Sequence, residues 1–304
     1  MRYSTFFTYA ISSFLLAAQF AGCAQTPLSL PDTGSMPLPL QNENVDLYAT
    51  DLPDLSGSEE SLEIPDSSSA PAVEDAPSPT VWDMNDVDIS HIDPTKKLIA
   101  FTFDDAPSRS LENLLTVYAA YNEANPDCRA SATIFCNSGR FDTQTPHLLS
   151  VCLAMHMELG NHTHSHHDLT TLNKTALLDE INKTDEELYK IDGKPRHLLR
   201  APFGKANDFV EENAPTPLIN WTIDTLDWSG VSEDAIYRAV YENRFSGAIV
   251  LMHDGYKHTV DALKRLLPDL KADGYQVVSV SQLAKAHGCT LRRGSTYIRA
   301  RKQN

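Results

Sequence analysis

An α/β fold built on a parallel sheet is what this sequence predicts, closing into a barrel if the outer strands meet. Three observations carry that expectation. From Lys97 onward, short apolar runs alternate with helix-period patterns six or so times. Polar and charged clusters fall just after the apolar runs, where parallel α/β sheets place their chemistry. Behind an acidic leader only about 200 residues remain, enough for one well-buried domain and too few for two ordinary ones.

Leu98-Ile99-Ala100-Phe101 reads as the first buried strand, and Leu111, Leu114, Leu115 and Tyr118 follow at the i, i+3, i+4, i+7 spacing of one helix face. Ala132 to Phe135 reads as the second strand. Thr145-Pro146 opens a helix, because proline in the first turn gives up an N–H that has no helical partner there. A long helix from about Lys174 to Tyr189 stops at Asp192-Gly193, with Pro195 just beyond. Leu218 to Ile223, Ala248 to Leu251 and Tyr275 to Val280 read as further strands. Ser232-Glu233-Asp234 supplies an N-cap and an acidic first turn for a helix between two of them. The chain has no internal repeat and no glycine-rich phosphate loop. Residues 289–304 form a basic tail. From Thr290 it carries five Lys/Arg and no acid, which reads as a solvated end rather than a binding arm.

Two segments of different character precede the domain, expected over residues 91–288. Tyr3 to Ala21 bears no charge and ends in small residues, so residues 1–23 read as a secretory signal. Gln19-Phe20-Ala21-Gly22-Cys23 resembles the lipobox of bacterial lipoproteins, in which the cysteine becomes the lipidated first residue; Phe20 departs from the usual Leu. A cleaved signal peptide and a retained membrane anchor are the alternatives. All three place the domain outside the cytoplasm; in the lipobox reading a lipid on Cys23 ties it to the membrane, facing the cell wall. Residues 24–90 hold 14 Asp/Glu, no Lys or Arg, 9 prolines and 10 serines. Such a stretch cannot bury enough apolar surface to offset its ordering entropy, so it reads as a disordered linker. It carries most of the net charge of −16; with Arg2 also set aside, residues 91–304 keep only −3. A near-neutral domain argues against a nucleic-acid partner. Cys128, Cys136, Cys152 and Cys289 lie in a compartment where disulfides form, yet none makes a C-x-x-C pair. For Cys136 a buried free thiol stands beside a bridge.

Each strand end carries reactive side chains. Asp104-Asp105 follows the first strand, and His162-Thr163-His164-Ser165-His166-His167-Asp168 follows Glu158-Leu159-Gly160. Arg200-Ala201-Pro202-Phe203-Gly204, Asp224-Thr225-Leu226-Asp227-Trp228 and Leu251-Met252-His253-Asp254 complete the set. Adjacent carboxylates in a dry place raise each other's pKa unless cations compensate, and a divalent metal with an arginine does that. His162 and His166, four apart, can present both imidazoles to one ion, and with a carboxylate they leave positions open for water and substrate. Taken singly, the histidine tract also reads as a solvated loop and Asp104-Asp105 as a turn. Five such clusters, each at a strand end, point to one site.

These clusters, in this order, resemble the five motifs of the NodB-homology polysaccharide deacetylases, carbohydrate esterase family 4: Thr102-Phe103-Asp104-Asp105-Ala106-Pro107, His162 to His166, Arg200 to Gly204, Asp224 to Trp228, and Leu251-Met252-His253. The resemblance runs from about Ile92 to His287 and implies a distorted parallel (β/α) barrel. It implies one divalent transition metal, zinc first, held by Asp105, His162 and His166. Asp104 would be the general base, Arg200 its orienting partner, His253 the general acid and Asp227 the residue that tunes it. Trp228 and Leu251 would shape the acetyl pocket, and the Phe203 N–H would face the oxyanion. Ala106 stands where the family usually has Gly, implying that this turn does without positive φ or tolerates strain. Phe203 stands where Tyr is common. His164 and His167 have no family role and read as loop residues, while His91, His156, His258 and Trp82 are left as structural or linker residues.

The implied activity is removal of acetyl groups from a polysaccharide, with N-acetylglucosamine of peptidoglycan first, and acetyl-xylan or chitooligosaccharides as alternatives. A catalytically silent glycan-binding protein is the rival of another class; it is disfavoured because every charged motif residue is retained. A serine esterase lacks a G-x-S-x-G elbow.

Overall fold

The computed structural model describes residues 81–301; the signal segment, Cys23 and residues 24–80 of the expected linker lie outside the described residues. β1 (Lys97–Ala106) is the central strand. It runs past the apolar stretch to include both carboxylates, because Thr102 and Asp104 are also buried and find partners there: the Thr102 hydroxyl donates to Val250 O at 2.5 Å. β2 (Thr133–Cys136) pairs with the second half of β1, and β7 (Tyr275–Val278) with the first half. β3 (Glu158–Asn161) continues the sheet beyond β2. On the other side of β1 come β6 (Ile249–His253) and β5 (Ile223–Asp224). All these pairs are parallel, as the alternation of strand and helix requires. Isolated bridges from Asn161 to Leu199 and from Leu199 to Leu218 carry the pairing on to β4 (Leu218–Ile219).

The single strand expected over Leu218 to Ile223 is two. The Arg200 guanidinium takes the carbonyls of Ile219 and Asn220 at 2.9 and 3.2 Å, so this backbone bonds a side chain where a ladder would continue.

Four helices close the face of the sheet that carries Ile99, Phe101 and Phe103, while the short helix Val280–Ala286 packs with Leu98 and Ala100. α1 (Leu111–Ala124) buries Leu111, Leu114, Leu115 and Tyr118, the face its spacing predicts. α2 (Thr145–Ala154), α5 (Glu233–Asn243) and α6 (Lys257–Ala272) pack with it around Phe101, Phe103, Ile134 and Val250. α3 (Lys174–Asp192) begins at an Asn173 cap and stops where Gly193 turns left-handed, φ +71°. α4 (Asp208–Asn213) and α7 (Val280–Ala286) are short; α7 opens with a reciprocal Ser279/Gln282 capping box.

Two segments differ from the composition-based reading. Residues 81–90, within the expected linker, lie on the domain. Val81 bridges Arg292, the Trp82 N–H donates to Leu291 O at 2.9 Å, and Trp82 and Met84 pack beside Val280 and Leu283. The basic tail is not a solvated end: Leu291 and Ala300 are buried, and β8 (Thr296–Tyr297) pairs with β4. Arg293 caps the carbonyls of Ala214 and Glu212. A few apolar side chains anchor both segments, and the surrounding charge hides them from a compositional reading. Cys128, Cys136, Cys152 and Cys289 are free thiols. Burial pushes Cys136 and Cys152 well above the ordinary thiol range, so neither is a ready nucleophile.

Candidate active site

Parallel register gathers the chemistry at one end of the sheet: Asp104 lies directly opposite His253 across β1 and β6, and Asp224 opposite Leu251 across β5 and β6. The cleft there, about 410 Å³, is lined by Asp104, Asp105, His162, His166, Phe203, Trp228, Leu251 and His253, together with Gly204, Trp221 and Asp224. Every residue given a catalytic, pocket or metal role from the sequence, Arg200 and Asp227 included, is thus on or directly behind one cleft.

Asp104 is almost fully buried, and its Oδ1 accepts from Arg200 Nη1 at 2.8 Å. Burial alone would raise its pKa, but Arg200, His162 and His253 outweigh that and hold the carboxyl below its usual range. Arg200 is wholly enclosed. It also donates to Thr102 and to two backbone carbonyls, and its plane lies over the Phe135 ring at 4.2 Å.

Asp105, at φ +65°, turns the other way. Its Oδ1 lies 3.8 Å from His162 Nε2 and 3.4 Å from His166 Nε2, while Oδ2 faces Arg140 at 3.6 Å. That Oδ1 is buried and has no hydrogen-bond partner. His162 Nδ1 sits 2.8 Å from Arg200 O; since a carbonyl only accepts, Nδ1 carries a proton there and Nε2 is left on the side of Asp105. Two imidazole nitrogens and an orphaned carboxylate oxygen, all within 4.8 Å of one another, are a donor set of the size and chemistry that a divalent cation takes.

His253 stands on the far side of Asp104. Its Nδ1 lies 2.7 Å from Asp227 Oδ1, and Asp227 Oδ2 accepts from the His253 N–H and the Thr259 hydroxyl. Burial would lower the His253 pKa, yet the Asp227 hydrogen bond and charge, with Asp104 and Asp105, carry it above the ordinary imidazole value. His258, left without a role from sequence, steadies Asp227 through its backbone carbonyl at 2.8 Å.

At the mouth, Phe203 and Trp228 are each more than half exposed, and Leu226 is nearly so. Phe203 and Leu226 have φ of +60° and +54°, and Thr163 and His166 are also left-handed. Non-glycine residues in that region cost about 1–3 kcal/mol each and persist where neighbours over-determine them. Gly204 also has positive φ, and a Cβ there would meet Trp221 at 2.6 Å. At Ala106 φ is not positive; the strained conformation falls one residue earlier, on Asp105.

The family profile for polysaccharide deacetylase matches residues 91–215. A peptidoglycan-N-acetylglucosamine deacetylase from Bacillus cereus is 34% identical over 209 residues, which cover 62% of this chain and 89% of that relative. The chain belongs to the polysaccharide deacetylase family. Peptidoglycan-N-acetylmuramic acid deacetylase PdaC from Bacillus subtilis is 32% identical over 192 residues, 63% of this chain, and the match spans only about 40% of that relative's length. Among solved structures, the T48 deacetylase with substrate superposes with a TM-score of 0.62 at 30% identity, covering 68% of this chain and 99% of that one.

Within this polysaccharide deacetylase fold, several supporting residues carried no recognisable sequence signal. Glu180 of α3 accepts from the Ser165 N–H and hydroxyl, and Asn161 accepts from the Thr163 N–H while donating to Asp185; together they shape the loop that bears His162 and His166. Asp185 and Asp192 enclose His197 and, against burial, raise its pKa to about 9. His164 is turned away from the cation donors and bonds Ser138. Asp254, next to His253, is fully buried and pushed up to about 6, with Oδ2 accepting from the Ser108 N–H.

Proposed function

We propose that this chain hydrolyses acetyl groups from a cell-surface glycan, with N-acetylglucosamine of peptidoglycan as the first substrate class. The observation that carries the reading is one cleft in which a depressed carboxyl, Asp104, and an elevated imidazole, His253, flank an unsatisfied Asp105/His162/His166 donor set. Relatives that act on N-acetylglucosamine and on N-acetylmuramic acid support the substrate class.

The donor set fits a divalent transition ion, zinc first, which when bound polarises the acetyl carbonyl and makes water more acidic. Asp104, kept ionised by Arg200, accepts the proton of the attacking water. Phe203 contributes its N–H to the developing oxyanion, a contribution of about 3 kcal/mol where such donors have been removed. His253, held with Nδ1 toward Asp227, turns Nε2 toward the cleft and protonates the departing amine. Leu251 and Trp228 enclose the acetyl methyl, while exposed Phe203 and Trp228 offer ring faces to the sugar. The leader suits this substrate: lipidated Cys23 and an acidic linker would hold the domain outside the membrane facing the wall, and signal cleavage without lipid would secrete it.

Acetate release by the full chain on peptidoglycan, chitooligosaccharide and acetyl-xylan tests the proposal. The expected order puts peptidoglycan first. Turnover of acetyl-xylan alone would replace the amide reading with an ester one. Glycan binding without acetate from any of the three would make this a silent binding domain. Cys23→Ala should release the protein from membranes; retention would point to an uncleaved helix.

A further inference from the structure

A second grouping of cation-type donors lies at the opposite end of the sheet from the cleft. His156 sits in the turn two residues before β3, while Asp88 and His91 come from the segment that enters the domain ahead of β1. Asp88 Oδ2 lies 3.4 Å from His156 Nδ1 and 3.9 Å from His91 Nδ1. One ligand atom from each of the three falls within 4.8 Å of the others. The two imidazoles stand face to face, centroids 4.7 Å apart.

Four details distinguish this grouping from a chance cluster of surface charge. Both ring nitrogens of His91 are buried without any hydrogen-bond partner, a state that destabilises the fold unless something satisfies them. Asp88 divides its oxygens: Oδ1 accepts from the Ser90 N–H at 2.8 Å, leaving Oδ2 facing the imidazoles. The backbones of both histidines are held from rigid elements, since Gln276 of β7 donates to His91 O at 3.0 Å and Gln282 of α7 to His156 O at 3.1 Å. His156 keeps φ at +60°, a conformation a histidine adopts at a cost.

We propose that Asp88, His91 and His156 form a second divalent-metal site, of two-imidazole, one-carboxylate type, that fastens the entering segment to the amino end of the sheet. Borderline-soft ions suit those donors, zinc foremost. The inference stands apart from the deacetylase reading, because it concerns metal stoichiometry and the anchoring of residues 81–96 and not turnover.

The full chain, stripped with chelator and titrated with Zn²⁺ by calorimetry, should bind two equivalents. Asp88→Asn and His156→Ala should each retain one tight equivalent, and so should His162→Ala; the pair His156→Ala/His162→Ala should retain none. Asp88 is exposed, so its conservative variant serves where His156→Ala fails to fold. At saturating Zn²⁺, Asp88→Asn should release acetate at the wild-type rate. In the His162→Ala background, Zn²⁺ should slow proteolysis between residues 81 and 96, and with Asp88→Asn added it should not. One equivalent in the wild type that Asp88→Asn keeps unchanged, or two equivalents with less than a tenfold loss of affinity in Asp88→Asn, would overturn the proposal. Protection that persists with Asp88→Asn would overturn the anchoring role.

Discussion

Replacing Asp104 by Asn tests the catalytic arrangement and its structural support together. Among the described residues, the change removes the one carboxylate hydrogen-bonded to Arg200, a guanidinium with no solvent exposure, and leaves it neutral acceptors: the new amide oxygen and those on Thr102, Ile219 and Asn220. Breaking a buried ion pair from one side costs about 3–5 kcal/mol; with three acceptors retained, the lower end applies. For a domain of this size, about 3 kcal/mol corresponds to a fall of roughly 6–12 °C in Tm. Loss of the general base should lower kcat by at least about 10², while zinc content and glycan affinity stay near wild type. Differential scanning calorimetry, steady-state acetate release and metal analysis on one preparation measure all three. A variant as stable as wild type would refute the pairing of Arg200 with Asp104. One that keeps more than a tenth of kcat would refute the base assignment.

Asp105→Asn and His162→Ala should each weaken zinc binding at the cleft and abolish acetate release, with excess zinc partly restoring the first; His164→Ala should leave both intact, and equal loss there would mean the wrong histidines were assigned. The alkaline limb of kcat/KM should move to lower pH in Asp227→Asn, because the Asp227 bond and charge are what hold the His253 imidazolium above its ordinary range; an unmoved limb in the pH profile counts against His253 as the acid. His197 gives a stability test away from the chemistry. Its pKa of about 9 lies above the unfolded 6.5, so its contribution is complete below pH 6.5 and is lost as pH rises through 9, a change of roughly 3 kcal/mol. Urea titrations at pH 6 and pH 9.5 should show that loss in wild type and a flatter dependence in His197→Gln; equal slopes would remove His197 from the explanation.

The residues that meet at the cleft were legible because each follows an apolar run, and parallel strands bring such positions to one end. Asp104 and His253 are 149 positions apart in sequence and directly opposite in register. The burial of α1 was equally plain, since Leu111, Leu114, Leu115 and Tyr118 repeat at helical spacing. What escaped were residues whose role depends on a distant partner. Glu180, Asp185 and His197 look like ordinary helix and loop polar residues until the fold encloses them. His91 and His156 are 65 positions apart and carry no common motif. Composition misplaced Trp82, Met84, Leu291 and Ala300, because one apolar side chain among several charges still anchors a segment when a groove receives it. The break between β4 and β5 depends on Arg200 reaching across for two carbonyls, which no local pattern encodes.

The most direct test of the proposed chemistry is acetate release from peptidoglycan by the full chain before chelation, after chelation and after zinc is restored, with Asp104→Asn carried through the same steps. Wild type should lose its activity with the metal and regain it on reconstitution, while Asp104→Asn should take zinc back at the cleft yet stay at least about a hundredfold slower. Undiminished acetate release from the stripped wild type, or recovery of Asp104→Asn to the wild-type rate, would contradict it.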